Sequence, residues 1–198
     1  MKFFTPNLIE RFGSDDDRIA LAAQTELEQS SEAYSRRLSE VASELPQRFQ
    51  ELLERNYLHD ARVIDHSFLG NGDSESLGAS EPRANITGWK SAERAEGRLL
   101  SFWMVLELDT PPRELLALQY RSVLIEGVDI HQALREDECP YLEWQYDEVE
   151  LINTGRAQEF RHSILFTNGL ELRLRFKDFD FATLKPIASM PELAEAGR

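Results

Sequence analysis

Two stretches of alternating apolar and polar residues, Phe160-Arg161-His162-Ser163-Ile164-Leu165-Phe166 and Leu170-Glu171-Leu172-Arg173-Leu174-Arg175-Phe176, meet across Thr167-Asn168-Gly169. A period of two turning back on itself reads as a β-hairpin. Directly opposed residues of an antiparallel pair share a face, so the turn can be chosen by testing registers. A two-residue Asn168-Gly169 turn sets Phe166 against Glu171 and Ile164 against Arg173, mixing apolar and charged groups. A three-residue loop with Gly169 in the left-handed region instead sets Phe166 against Leu170, Ile164 against Leu172, His162 against Leu174 and Phe160 against Phe176. That register leaves one face to be buried and one cationic face, carrying Arg161, Arg173, Arg175 and Lys177. Alternating charges of this kind pair with acids on a neighbouring strand.

The first part of the chain has a different period. Thr5-Pro6 places a cap before a proline and Gly13 ends the pattern, which predicts a short helix over 6–12. Ser14 can cap a second, longer helix, with Asp15, Asp16 and Asp17 at the positive end of its dipole. Its stripe of Ala20, Ala23, Leu27, Ser30, Tyr34, Leu38, Val41 and Leu45 recurs at steps of three or four and requires a partner surface. Pro46 opens a third helix with Phe49, Leu52 and Leu53 on one side, ending near Asn56.

After residue 60 the pattern alternates, and strands are predicted near 61–69, 98–109, 114–126, 141–153, 158–166 and 170–179. Asp129-Ile130-His131-Gln132 resembles a capping box opening a short helix. Residues 70–97 form a long Gly- and Ser-bearing stretch, of the length that functional or disordered loops have. Within Leu142–Leu151 the apolar positions slip from even to odd, implying a β-bulge near Asp147-Glu148. The expected fold is therefore α+β: about three N-terminal helices packed on a mostly antiparallel meander sheet of about six strands. We expect a single domain over 1–198, with a helical portion 1–57, a sheet portion 58–185 and a tail 186–198.

Composition narrows the function classes. The net charge of −14 is spread along the chain, with 12 acids and 7 bases in residues 1–60 and 24 acids and 15 bases beyond. Phosphate-backbone binding rests on Lys and Arg displacing counterions, so general nucleic-acid binding is disfavoured. The run from Glu136 to Glu150 contains seven acids and no base, a patch suited to steering a basic protein partner. The single Cys139 forms no internal disulfide, and carboxylates around it disfavour a thiolate. No apolar run approaches the ~20 residues that span a bilayer, and Met1–Pro6 is too soon broken for a signal peptide. A cytoplasmic protein without membrane association is expected.

No nucleophile elbow and no phosphate-binding glycine loop occurs in the chain. No cofactor is expected. The junction of Leu58, His59 and Asp60 joins the last helix to the first strand and presents ionisable groups. If both residues are extended, His59 and Asp60 point to opposite sides, which argues against a direct relay; His59 near the helix end and Asp60 in a turn are the structural alternative. The doublet resembles that of metal phosphohydrolases, whose ligands sit on several helices, whereas here it precedes a strand. A metal site would need members of the set His59, Asp60, Asp65, His66 and His162 to converge. His162, beside Ile164 and Phe166, reads as a packed histidine with satisfied ring nitrogens. Trp144, Tyr146, Asp147 and Glu148 at the expected bulge combine aromatic area with carboxylates, as binding surfaces do. Core packing of Trp144 and Tyr146 is the competing expectation.

The segments Met1-Lys2-Phe3-Phe4-Thr5, Leu58-His59-Asp60 and Tyr146-Asp147-Glu148-Val149 together resemble a bacterial family of unknown function. The resemblance implies a bacterial cytoplasmic protein and brings no reaction with it. In class and composition the chain is also similar to immunity proteins that neutralise secreted toxins. The leading expectation is a non-enzymatic, immunity-like or adaptor binding protein whose contacts are His59, Asp60, Trp144, Tyr146, Asp147 and Glu148. The alternative is a small metal-dependent hydrolase or ligand-binding enzyme built on His59, Asp60, Asp65 and His66.

Overall fold

The structure is a computed structural model that describes residues 1–55, 58–69, 99–110, 113–130, 142–153 and 158–184. Three α-helices come first: α1 (Pro6–Phe12), α2 (Asp17–Val41) and, after a short 3-10 turn over Ala42–Glu44, α3 (Gln47–Arg55). Thr5 caps α1 as expected, its hydroxyl accepting from the Leu8 amide at 3.2 Å. The second helix starts later than Ser14 suggested. Asp16 is its cap, its carboxylate accepting from the Arg18 and Ile19 amides, while Ser14 accepts from Asp16 one turn earlier.

Among the described residues seven strands follow rather than about six: β1 (Arg62–Leu69), β2 (Leu99–Leu108), β3 (Glu114–Ile130), β4 (Leu142–Asn153), β5 (Gln158–Phe166), β6 (Leu170–Phe176) and β7 (Asp178–Leu184). Asp129 and Ile130 end β3 instead of opening a helix, and the rest of that capping box lies outside the described residues. So do the 70–97 stretch, Cys139 and the 186–198 tail.

All the pairings are antiparallel. Strands β1-β2-β3 form one meander and β4-β5-β6 a second, and the two are joined through β1–β4 and β3–β6. Because β2 also pairs with β3, the strands close into a ring. At the β1–β4 seam, Arg62 lies opposite Glu143 and Val63 opposite Leu142. Strand β7 continues the line of β6 along β3, after an interruption at Lys177 whose amide donates to the Arg121 carbonyl at 3.2 Å.

The hairpin register is the three-residue one. Ile164 opposes Leu172, His162 opposes Leu174 and Phe160 opposes Phe176, while Gly169 has φ 80° and donates to the Phe166 carbonyl at 2.9 Å. The other face is not an open cationic strip. Glu159, Ser163 and Glu171 on it are buried, and two of its arginines are neutralised: Arg161 by Glu126 and Glu150, Arg175 by Glu159 and Glu126. Glu126 is on β3 and Glu150 on β4, the acid-bearing neighbours that alternating charges call for.

Inward-facing Phe102, Met104, Leu106, Leu118, Tyr120, Phe166, Leu172, Leu174 and Phe176 fill the ring, and α3 adds Phe49 and Leu52 to the same core. Phe49 packs edge-on against Phe179 with ring centres 4.7 Å apart. The α2 stripe is sheltered at the expected positions, yet only Ala23 and Val41 of the helix are buried. Between that stripe and β4 lies a cleft.

Candidate functional site

The cleft has a volume of about 470 Å³ and is lined from three directions. Leu27, Glu28, Ser31 and Tyr34 come from α2, Phe49, Leu52 and Leu53 from α3, and Trp144, Gln145, Tyr146 and Asp147 from β4, with Phe4, Leu58, His59 and His162 completing it. Its floor belongs to the core, since Phe49, Leu52, Trp144 and His162 are each at most 1% exposed.

A bulge in β4 builds the site. Trp144 pairs with Phe166 and Tyr146 with Leu165, so the extra residue is Gln145, earlier than the Asp147-Glu148 position that the sequence pattern suggested. The location decides which carboxylate points where. One extra residue exchanges the faces of all that follows. Asp147, opposite Ile164, is turned inward toward the cleft, and Glu148, opposite Ser163, outward.

Asp147 is held from behind. Trp144 Nε1 donates to its Oδ1 at 3.0 Å, and His162 Nε2 lies 3.0 Å from its Oδ2. His162 Nδ1 is 2.9 Å from the Tyr120 hydroxyl. Burial, reinforced by the charge of Asp147, holds the Tyr120 pKa well above its ordinary value, so this hydroxyl keeps its proton. It therefore donates to Nδ1, which leaves the hydrogen on Nε2 to donate to Asp147. Both ring nitrogens of His162 are satisfied, as expected for a packed histidine. The array runs from the core outward, and the end that reaches the cleft is a carboxylate with 23% of its side chain exposed.

Aromatic rings form the walls. Tyr146 stacks on Phe4 with centres 4.8 Å apart and planes 15° from parallel, and His59 meets Tyr146 edge-on at 5.6 Å. Phe4 in turn packs edge-on to Tyr34 at 5.6 Å. The Tyr34 hydroxyl accepts from the Val149 amide at 2.9 Å. Burial first, then Asp147, raises its pKa, so it too stays protonated and keeps a hydrogen to donate.

Four of the six candidate binding residues, His59, Trp144, Tyr146 and Asp147, thus line one cleft. The other two do not. Glu148 is 3% exposed on the outer face, where its carboxylate accepts from the amides of Lys2, Phe3 and Phe4 at 2.7, 2.6 and 2.8 Å. Asp60 borders a separate surface hollow with Arg62, Glu107 and Arg113. The doublet is not extended: Asp60 has φ 64°, and this bend brings its carboxylate to 2.9 Å from His59 Nδ1. Its amide donates to the Trp144 carbonyl at 2.7 Å, tying the turn to the bulged strand.

The alternative metal set is not gathered. Among the described residues no group of three His, Cys, Asp or Glu side chains is placed to hold a metal ion. Asp65 accepts from the His66 amide at 2.8 Å, and His66 pairs across β1–β2 with Met104, away from the cleft. Tyr34 and Phe4 are the site residues that sequence reasoning missed. Tyr34 is the sole aromatic of the α2 stripe, the one available signal; Phe4 gave none, because its place depends on Glu148 far along the chain.

No protein-family model and no curated protein sequence matches this chain. The class that the fold and site define is a seven-stranded antiparallel α+β protein with an aromatic, carboxylate-bearing cleft beneath its longest helix.

Proposed function

We propose that this chain is a non-enzymatic binding protein, that the cleft under α2 is its site, and that what it binds is cationic. The observation that carries the reading is the setting of Asp147. Trp144 and His162 fix its carboxylate from the core side while the cleft side stays open. A fixed anion among ring faces attracts a cation through charge and through the ring quadrupoles. Solvation by two donors also removes the need for Asp147 to reorganise when a cation arrives.

Catalysis by the same array is disfavoured on geometry. A hydroxyl-imidazole-carboxylate series becomes a nucleophile when the hydroxyl faces the substrate. Here Tyr120 is 0% exposed and it is the carboxylate that reaches the cleft. The expected basic partner enters this reading as the bearer of the cation. A convex docking face formed by Trp144 and Glu148 is not supported, because both are buried.

The test is a thermal-shift panel of matched cationic, neutral and anionic compounds on the full chain and on Ser31→Trp, which fills the cleft from its exposed rim. We expect cations to raise the melting temperature of the wild type and not of Ser31→Trp. Equal shifts in both proteins would remove the cleft as the site, and a preference for anions would remove the reading.

A further inference from the structure

The shape of the cleft narrows what carries the cation. We infer that the occupant is a small free amine, an ammonium group on a compact apolar or aromatic body, enclosed as a whole molecule; the inference rests on the reading of the cleft as a cation site.

Three observations lead there. The volume of about 470 Å³ falls within the ~300–1,000 Å³ usual for small-molecule sites, and one lysine stem would leave much of it empty. Its floor is Phe49, Leu52, Trp144 and His162, and because the Trp144 and His162 nitrogens are bonded within the protein it presents hydrocarbon and ring faces. Polar groups stand on its walls: Asp147 accepts on the β4 side, and Glu28, Ser31 and Tyr34 lie on the α2 side, Tyr34 held protonated by burial. An amphipathic ligand satisfies this division by placing its hydrocarbon in the deep end and its N–H groups on Asp147. A bare inorganic cation would leave the apolar end solvated, and a neutral body without the ammonium would leave Asp147 without the charge it is placed to meet.

The experiment is calorimetric titration of the full chain with 2-phenylethylamine, its neutral counterpart 2-phenylethanol, ethylamine, and an end-blocked Gly-Lys-Gly peptide. We expect 2-phenylethylamine to bind at least about tenfold more tightly than 2-phenylethanol, the scale of one charge-assisted hydrogen bond. Ethylamine and the peptide should bind at least about tenfold more weakly than 2-phenylethylamine, because neither fills the apolar end. Asp147→Asn should bring amine and alcohol to similar affinity. The wild-type comparison stands by itself if that variant does not fold. Equal affinity for amine and alcohol would overturn both this inference and the cation reading. Tighter binding of the lysine peptide than of the amine would overturn only this inference, since the cleft would still hold a cation.

Discussion

Asp147 and Glu148 are adjacent acids with opposite duties. Asp147→Asn keeps the oxygen that receives Trp144 Nε1 and sets an amide against the hydrogen of His162 Nε2. Relief requires the imidazole to move its hydrogen to Nδ1 and Tyr120 to become the acceptor, and we expect a cost of about 1–3 kcal/mol by chemical denaturation. Tyr120→Phe leaves Nδ1 facing a ring edge inside the core and should cost a similar amount, about 1–3 kcal/mol. Glu148→Gln leaves one acceptor oxygen for the amides of Lys2, Phe3 and Phe4. A loss of about 2 kcal/mol is expected, with the first residues becoming protease-sensitive. Unchanged stability in Glu148→Gln would mean that the second carboxylate oxygen is dispensable to the segment it holds.

At the scale of elements, the turn and the bulge each depend on one residue. Gly169 at φ 80° lies where a β-branched side chain is strained, so Gly169→Val should destabilise by about 1–2 kcal/mol. Deleting Gln145 is the sharper test. It removes the unpaired residue while Trp144 stays opposite Phe166, Tyr146 opposite Leu165, Asp147 opposite Ile164 and Glu148 opposite Ser163, so the faces persist and only the local kink is lost. We expect that variant and Gln145→Ala both to unfold cooperatively, and loss of cooperativity in the deletion alone would show that the kink itself holds β4 in place. Along α2, Ala23 is 0% exposed and Leu21 is 66% exposed. Leu21→Ser should be neutral within about 0.5 kcal/mol, and Ala23→Leu should cost about 1–3 kcal/mol by overpacking.

For the whole molecule, closure of the ring depends on the join between β1 and β4. Among the described residues the β1–β4 pairing comprises Arg62, Val63, Leu142 and Glu143, and the Asp60 and Trp144 amides extend it, so Asp60 stands at its end. Hydrogen exchange should therefore be faster for the Asp60 amide than for amides in the long β4–β5 ladder, and equal protection would show that the ring opens only globally. Acid stability has a defined contributor. Burial pushes the His66 imidazole below its ordinary 6.5 against the opposing charge of Asp65. A depressed pKa means that the unfolded chain takes up this proton first as pH falls. Its contribution is complete above about pH 6.5 and is lost as pH drops from there through the folded-state value. His66→Gln should flatten the difference in unfolding free energy between about pH 7.5 and about pH 5.5. An unchanged difference would assign that dependence to other groups.

The hairpin, the α2 stripe and the order of helices before strands were legible in the sequence because each follows from a local period of two or of three to four. Those periods name faces without naming what lies opposite. The slip from even to odd positions in β4 announced a bulge, but the pattern alone set it near Asp147, because partly sheltered residues on both faces blur the step; pairing with Leu165 and Phe166 fixes it at Gln145. Similarly, His59, Trp144, Tyr146 and Asp147 were individually visible as chemistry-bearing residues. Their convergence was not, since His59 and Trp144 meet only through the left-handed turn at Asp60, and Tyr34 and Phe4 only through long-range bonds to β4. By itself the sequence determined the elements, the faces they bury and the acidic balance, all properties of neighbours in the chain. The tertiary structure alone decided that the ring closes, which acid faces inward and where the cleft opens, because these depend on pairings between residues distant in the chain, Val63 with Leu142, Trp144 with Phe166 and Phe4 with Glu148, whose free energy no local pattern encodes.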